Sequence, residues 1–431
     1  MASGDWIALA GFVALFAMIA LRVPIGVAMG LVGVFGFASI RGINPALNLL
    51  ASSPIRVVAD FNLSLVPFFI LMGIFATNSG MSRELFRTGN AWLGSFRGGL
   101  ALSTIAACAG FAAICGSTVA TAATMTKISL PEMRRFGYRD EVASGVIAAG
   151  GTLGILIPPS VVLVVYGYIT ETDIGQLFIA GILPGILAMA MYMATVLIGH
   201  RKGLPEGQPF DLREAFASLS GVWAVLLLFI AIIGAIYLGV TTPTEAAAVG
   251  AFLTMVIGIV RRRLNLRLII ESLTEALRTS VAVYTILIGA VLFGYFLAIT
   301  RSPQKLTDLL ISFDLGPYGT LTLILALFVV AGCILDSMAM IILLVPIVYP
   351  VIVQLGFDPV WFGIIIVMTA ELGLITPPVG INVFVINTIA KDVKLTTIFK
   401  GVVPFIFSDL IRLVILVMFP GIVLLLPMTM R

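Results

Sequence analysis

Two stretches of this sequence set adjacent prolines among glycines. One is Gly150-Gly151-Thr152-Leu153-Gly154-Ile155-Leu156-Ile157-Pro158-Pro159-Ser160, and the other is Glu371-Leu372-Gly373-Leu374-Ile375-Thr376-Pro377-Pro378-Val379-Gly380-Ile381-Asn382. Proline has no N–H to donate and its ring clashes with the preceding turn, so two in succession stop a helix and free several carbonyls. In apolar surroundings each orphan group costs several kcal/mol unless something binds there. Freed carbonyls suit a small, hard cation such as sodium. The helix that restarts beyond the prolines offers a positive N-terminal dipole to an anion.

Polar residues also interrupt two other apolar runs. Cys115-Gly116-Ser117-Thr118 breaks the run over 99–130, and Leu335-Asp336-Ser337 breaks the run over 318–353. Gly116 lets backbone approach closely. A carboxylate at membrane depth is expensive, so Asp336 is either a functional group or the cap of the helix that follows it. Glu371 has the same functional reading. Its plain alternative is a pair with a nearby hydroxyl or backbone N–H. No lone arginine is placed at the midplane to hold a carboxylate.

The elements that must position these groups are membrane helices. Of 431 residues, 60% are hydrophobic and 11% charged, with 43 glycines and 21 prolines, and the mean hydropathy is +1.16. Soluble chains average about 45–50% apolar and about 25% charged, so lipid is the solvent for much of this surface. Runs long enough to cross a bilayer fall near 5–21, 24–40, 61–80, 141–168, 176–199, 221–240, 244–260, 279–299, 360–389 and 402–427. In 99–130 and 318–353 each half is too short to cross comfortably, which predicts re-entrant helical hairpins. The mixed segments 81–98 and 303–315, which precede the hairpins, are predicted to be amphipathic interfacial helices. Thr241-Thr242-Pro243-Thr244-Glu245 has the pattern of a capped helix start.

The sequence repeats itself. Ile-Cys-Gly-Ser at 114–117 parallels Ile-Leu-Asp-Ser at 334–337, an offset of 334 − 114 = 220. Gly137 parallels Gly356 (219), the first Pro-Pro motif parallels the second (373 − 154 = 219), and Gly-Ile-Leu-Pro at 181–184 parallels Gly-Val-Val-Pro at 401–404 (220). One offset held over about 70 residues marks an internal duplication. Loop charges orient it. Lys127, Arg134, Arg135 and Arg139 follow the first hairpin, whereas Val351–Pro359 has no basic residue and carries Asp358. Basic loops stay inside. Glu171 and Asp173 then lie outside, Lys391, Lys394 and Lys400 inside, and the connecting loops with Arg201, Lys202, Arg213, Arg261–Arg263 and Arg267 inside. Arg41, Arg56, Arg301 and Lys305 run against this pattern. The halves are therefore inverted, with both termini outside, as in secondary transporters. The expected domains are N-terminal scaffold helices over 1–60, a first repeat over 61–200, connecting scaffold helices over 201–275 and a second repeat over 276–431.

Other chemistries find no support. There is no Ser–His–Asp set, HExxH, Walker A sequence or metal-ligand cluster, so the energy source is an ion gradient. The net charge of +4 comes without a basic tract, and Cys108, Cys115 and Cys333 show no disulfide or metal spacing. The single His200 reads as a loop residue beside Arg201. The run Trp6–Leu21 lacks a basic leader and a cleavage site, so it reads as a membrane helix rather than a signal peptide.

Ala-Ile-Cys-Gly-Ser-Thr-Val-Ala-Thr-Ala-Ala (113–123), Leu-Pro-Glu-Met (130–133), Gly-Thr-Leu-Gly-Ile-Leu-Ile-Pro-Pro-Ser (151–160), Thr-Pro-Thr-Glu-Ala-Ala-Ala-Val-Gly-Ala (242–251), Asp336, Phe357-Asp358-Pro359 and Leu-Gly-Leu-Ile-Thr-Pro-Pro-Val-Gly (372–380) together resemble one family. It is the large, DctM-like membrane subunit of the tripartite ATP-independent periplasmic (TRAP) transporters, and the resemblance spans essentially the whole chain. It implies an all-α ion-transporter-superfamily fold, with a scaffold and an elevator-type transport domain, in the bacterial inner membrane. It implies Na+ at two sites, one at Ala112, Cys115, Ser117, Gly154, Ile157 and Pro159, the other at Gly332, Asp336, Gly373, Thr376 and Val379. The anion is expected between Ser117, Thr118, Gly150, Gly151, Thr152, Ser337, Pro378, Gly380 and Asn382. The implied partners are a small four-helix (DctQ-like) membrane subunit and a soluble periplasmic (DctP-like) binding protein, and the implied substrates are organic acids, including four-carbon dicarboxylates and sialic acid. Cys115 stands where the family often has Ser. This matters only if that position binds through its side chain. The expected function is sodium-coupled import of an organic acid. A stand-alone sodium/anion symporter is the alternative, and an intramembrane enzyme or lipid flippase is the more distant one.

Overall fold

The computed structural model describes residues 2–199 and 204–430, with no strand among them. His200, Arg201 and Lys202 lie outside the described residues. The chain opens with α1 (Ala2–Ala20), α2 (Ile25–Arg41), α3 (Ile43–Val58), α4 (Leu65–Asn78) and α5 (Met81–Leu93). Then follow α6 (Gly99–Cys115), α7 (Thr118–Arg135), α8 (Asp140–Leu156), α9 (Val161–Thr170) and α10 (Ile174–Gly199). A connecting group holds α11 (Leu212–Tyr237), α12 (Pro243–Val260) and α13 (Leu266–Thr300). The second repeat holds α14 (Ser302–Ser312), α15 (Gly316–Gly332), α16 (Ser337–Gln354), α17 (Pro359–Ile375), α18 (Ile381–Ile389), α19 (Leu395–Met418) and the short α20 (Gly421–Leu424).

Local chemistry sets many boundaries. Thr242 and Glu245 form the expected capping box: the Thr242 N–H donates to Glu245 Oε2 at 2.9 Å, and the Glu245 N–H donates to Thr242 Oγ1 at 3.3 Å. Asp358 caps α17 by accepting from the Trp361 N–H at 2.9 Å, with Pro359 at the first helical position. Such caps satisfy donors that a helix start leaves orphaned.

The chain is a multi-pass membrane protein. Among the described residues, six helices are long and apolar enough to cross a bilayer, or up to eight if each bent pair is one span. One bent pair is α8 with α9, which meet at 41° across Ile157–Ser160, as the first Pro-Pro motif predicts. The second motif separates α17 from α18. The bond within each Pro-Pro pair is cis. The amphipathic segments appear as α5 and α14. In α5, Leu85 and Phe86 are buried while Arg83 and Arg87 are exposed.

Three elements differ from expectation. Helix α3 falls in none of the predicted spans, because Asn44, Asn48 and Ser52 dilute its hydropathy although it is helical throughout. Helix α13 has 35 residues rather than the 21 of 279–299, because Arg267, Glu271, Glu275 and Arg278 make its first turns polar without stopping the helix. The expected run 402–427 starts earlier, at Leu395, and stops at Met418, where Phe419-Pro420-Gly421 turns the chain into α20.

Two groups of helices are apparent. Helix α2 packs on α13, and α4 on α12 and α13. The backbones of α2 and α13 nearly touch: a Cβ added to Gly289 would lie 2.0 Å from the Gly26 carbonyl oxygen. In the other group, α8 lies among α6, α7, α10, α17 and α19, so both proline-broken helices share one core.

Candidate functional site

In each repeat a short helix break packs against a proline break. A Cβ on Gly154 would lie 2.7 Å from the Ser117 carbonyl carbon and oxygen, and one on Gly116 would lie 2.6 Å from the Pro159 oxygen. In the second repeat a Cβ on Gly373 would lie 2.5 Å from the Gly332 backbone. Only glycine admits these approaches, and Gly116 also has φ +59°. The structure therefore brings Cys115–Ser117 to Gly154–Pro159, and Gly332 to Gly373.

The carbonyls at these junctions are unusually free. Pro158 and Pro159 remove the donors that would reach Gly154 and Ile155, and Pro377 and Pro378 do the same for Gly373 and Leu374. Among the described residues, no donor reaches the carbonyls of Cys115, Ile157 or Pro159 in the first repeat, nor those of Gly332, Thr376 or Val379 in the second. The remaining candidates are occupied in part. The Ala112 carbonyl accepts from Gly116 N–H at 3.1 Å, the Ser117 carbonyl from Thr121 N–H at 3.0 Å, and the Gly373 carbonyl from Thr376 N–H at 3.2 Å. Each keeps a second lone pair. Free carbonyl oxygens without a carboxylate cluster match a monovalent hard cation, and no group of three or more His, Cys, Asp or Glu side chains arranged for a metal exists among the described residues.

Both polar tips open on one cavity of about 530 Å³. Cys115, Ser117 and Thr118 line it from one repeat, and Asp336 and Ser337 from the other. Ser117 caps α7, accepting from Ala120 N–H at 3.3 Å, and Asp336 caps α16, accepting from Ala339 N–H at 3.0 Å. The capping role foreseen for Asp336 is therefore present. Thr118 and Ser337, the first residues of α7 and α16, are 4% and 6% exposed, and neither hydroxyl has a hydrogen-bond partner among the described residues. They are also repeat-equivalent, since 337 − 118 = 219. Two hydroxyls at two helix N-termini thus face one space.

Other sequence candidates lie away from this cavity. Gly150 packs on Cys108 Sγ, and Gly151 on Ala122. Thr152 is fully buried, and its Oγ1 is 2.9 Å from the Tyr192 hydroxyl. Asn382 is fully buried and donates from Nδ2 to the Ala148 carbonyl at 3.2 Å. Gly380 begins α18 at φ +61° beside Phe399, and the helix reaches the cavity through Ile381 instead. Pro378 does not line it.

Sequence reasoning missed two sets of residues. Glu275 and Thr279 of α13, with Thr77 and Asn78 of α4, complete the cavity wall. The signal was a carboxylate and hydroxyls on one face of a helix. The second set is a buried charged cluster, and it corrects the expectation that no arginine lies deep in the membrane. Arg412 of α19 is 0% exposed, with Nη2 2.9 Å from Asp409 Oδ1 and 3.7 Å from Glu371 Oε2. Its signal was an Asp-x-x-Arg step inside an apolar run. A second cavity of about 890 Å³, lined by Asp60, Glu171 and Asp173, touches neither tip.

The arrangement has recognisable relatives. Residues 12–422 match the family described as tripartite ATP-independent periplasmic transporter, DctM component. The chain is 38% identical over 399 residues to the C4-dicarboxylate TRAP transporter large permease protein DctM of Pseudomonas aeruginosa, covering 90% of this chain and 93% of that one. It is 34% identical to the sialic acid TRAP transporter large permease protein SiaM of Vibrio cholerae, covering 88% and 90%. Its fold is similar to that of the YdaH transporter of Alcanivorax borkumensis, with a TM-score of 0.58 at 15% identity over 89% of this chain and 90% of that one. Helical membrane architecture, duplicated breaks and a match over nearly the whole length agree: the chain is a transporter permease rather than an enzyme, and belongs to the tripartite ATP-independent periplasmic transporter family as a DctM component.

Proposed function

We propose that this permease imports an organic acid together with sodium ions, accepting the acid from a periplasmic binding protein and working beside a small membrane subunit. The observation that carries the reading is the charge of the cavity. Among the described residues, its charged lining is Glu275 and Asp336, both acidic, with no lysine, arginine or histidine. An organic anion entering that space needs a counter-charge, and side chains do not provide it. Two helix N-termini contribute about 0.3–1 kcal/mol each, more where partly buried. Cations at the free carbonyls of Ile157, Pro159, Thr376 and Val379 supply the rest, so anion binding draws on bound sodium.

Carboxylate substrates fit the relatives, whose names specify C4-dicarboxylate and sialic acid. Orientation follows from the basic loops, which place the start of α13 inside. The tip cavity reaches the first half of α13, at Glu275, Thr279 and Val283, whereas the larger cavity reaches its second half at Leu287, Ala290 and Gly294. The tips are therefore open inward, one end of an elevator cycle in which the α6–α10 and α15–α19 group moves past α2, α4, α12 and α13.

The test is uptake of a radiolabelled acid, bound to its cognate binding protein, into proteoliposomes holding the chain and its small partner. An inward sodium gradient is expected to drive accumulation. Equal accumulation with potassium replacing sodium on both sides refutes the coupling, and uptake unaffected by omitting the binding protein refutes the delivery step.

A further inference from the structure

We infer that Tyr192, Asp409 and Arg412 are positioning residues that couple the two proline-broken helices, so that cation binding at one break raises affinity at the other; this rests on the sodium reading above. The coupling element is a continuous buried chain of contacts. Thr152 Oγ1 of α8 is 2.9 Å from the Tyr192 hydroxyl of α10, and that hydroxyl donates to Asp409 Oδ2 of α19 at 2.8 Å. Asp409 Oδ1 is 2.9 Å from Arg412 Nη2, which lies 3.7 Å from Glu371 Oε2 of α17. Tyr192 donates its O–H to Asp409, and the single Thr152 O–H is shared between the Tyr192 hydroxyl and the Ala149 carbonyl 2.7 Å away. All five side chains are 0–1% exposed. Without water to substitute for a partner, moving one member exposes its neighbour's bare polar atom, so a shift travels along the chain.

The ends of this chain sit where coupling is needed. Thr152 is two residues before Gly154, and Glu371 two before Gly373. Each end therefore rides on the helix turn that presents the free carbonyls. The members are also repeat partners: 371 − 152 = 219 and 412 − 192 = 220. The cluster thus occupies the place where the two halves meet: each half contributes one residue from its broken helix, the first adds Tyr192 from α10, and the second adds Asp409 and Arg412 from α19.

The chain also has two arrangements available to it. Both Glu371 carboxylate oxygens, Asp409 Oδ1 and all three Arg412 guanidinium nitrogens lack hydrogen-bond partners among the described residues, so Arg412 is held to Asp409 by ion pairing at 2.9 Å. One guanidinium thus stands between two carboxylates, close to Asp409 and just beyond reach of Glu371. A small displacement of α17 on cation binding would exchange one pairing for the other. Such an element, biased from both ends, is what energetic coupling between sites requires.

Sodium titration of the purified full-length chain, read by thermal unfolding with potassium holding ionic strength constant, tests the inference. The wild type is expected to show stabilisation that rises with a Hill coefficient above 1. Tyr192→Phe, which removes only the linking hydroxyl, should bring the coefficient toward 1 and raise half-saturating sodium by about fivefold, the lower end of typical coupling. Thr152→Val cuts the same chain at its first-repeat end and should do the same, so a folding defect in one variant leaves the other as the test. Coupling is refuted if both variants keep the wild-type coefficient and half-saturation and shift only the melting temperature in potassium. It is also refuted if the wild type itself titrates with a coefficient of 1, a result that leaves the sodium sites standing. A wild type indifferent to sodium overturns both readings together.

Discussion

The two breaks share a backbone plan and differ in side-chain chemistry. In both, backbone at a helix break meets glycine on a proline-broken helix, Ser117 at the start of α7 against Gly154 and Gly332 at the end of α15 against Gly373, and in both the prolines free carbonyls. Around that common plan the first repeat uses neutral groups and the second uses charged ones. Ser117 caps α7 where Asp336 caps α16. Thr152 and Tyr192 stand where the second repeat has Glu371 and Arg412. Ser160 caps α9 through its hydroxyl, whereas its counterpart Gly380 begins α18 in a left-handed conformation with no side-chain cap. Duplication has preserved what the main chain does and let the electrostatics diverge. This is the outcome expected if cation ligation is main-chain work and charge serves to tie the halves together.

Substitutions at matched positions test that comparison. The largest effect is expected where the backbone plan itself is blocked. Gly154→Val and Gly373→Val each force a side chain onto backbone 2.7 Å and 2.5 Å away. Each should reduce proteoliposome uptake by about 100-fold or more, since misplacing a site by about 1 Å can cost that much. If one tolerates valine, the breaks are not equivalent.

Next comes the buried charge. Arg412→Leu leaves Asp409 and Glu371 without their cation and should destabilise the chain by about 3–5 kcal/mol in denaturant unfolding. Its repeat partner Tyr192→Phe should cost only about 1–2 kcal/mol. Equal losses would deny the asymmetry between the halves.

A smaller difference is expected at the caps. Asp336→Ala should cost more than Ser117→Ala, both within about 0.5–2 kcal/mol, and Asp336→Asn should recover most of the loss. Thermal unfolding of the three variants measures it.

The smallest effect concerns the ends of the helices. Arg134 is 2.7 Å from Asp140 and 2.6 Å from Asp392, and the guanidinium holds the Asp392 carboxyl below its usual range. A lowered carboxyl contributes stability above its unfolded value, near pH 4, and loses it as pH falls through the folded value. Asp392→Asn should therefore lower stability slightly at neutral pH, converge with the wild type below the folded value, and so flatten the acid limb of the stability profile.

What the sequence revealed follows the same division. Prolines, glycines and caps have backbone reasons for their positions, so the breaks at 157–160 and 376–380 and the starts of α12 and α16 were legible from the residues. Side-chain partnerships across the fold were not. Asp409 and Arg412 lie in a helix otherwise apolar enough to cross a bilayer, so averaging hides two full charges. Glu275 hid in a polar helix start that resembles a loop. Gly150, Gly151 and Thr152 are expected around the anion, but α8 remains helical to Leu156 and its glycines serve instead to admit Cys108 and Ala122.

The continuous helix α13 carries one more consequence. It runs beside both cavities, and the last residue it gives to one, Val283, is a single turn from the first it gives to the other, Leu287. Along this helix that step is about 6 Å, four residues at about 1.5 Å each. Leu287 is 1% exposed. The insulation between the two cavities is therefore one layer of side chains deep beside α13, and how tightly it resists the passage of ions depends on how well that layer is packed.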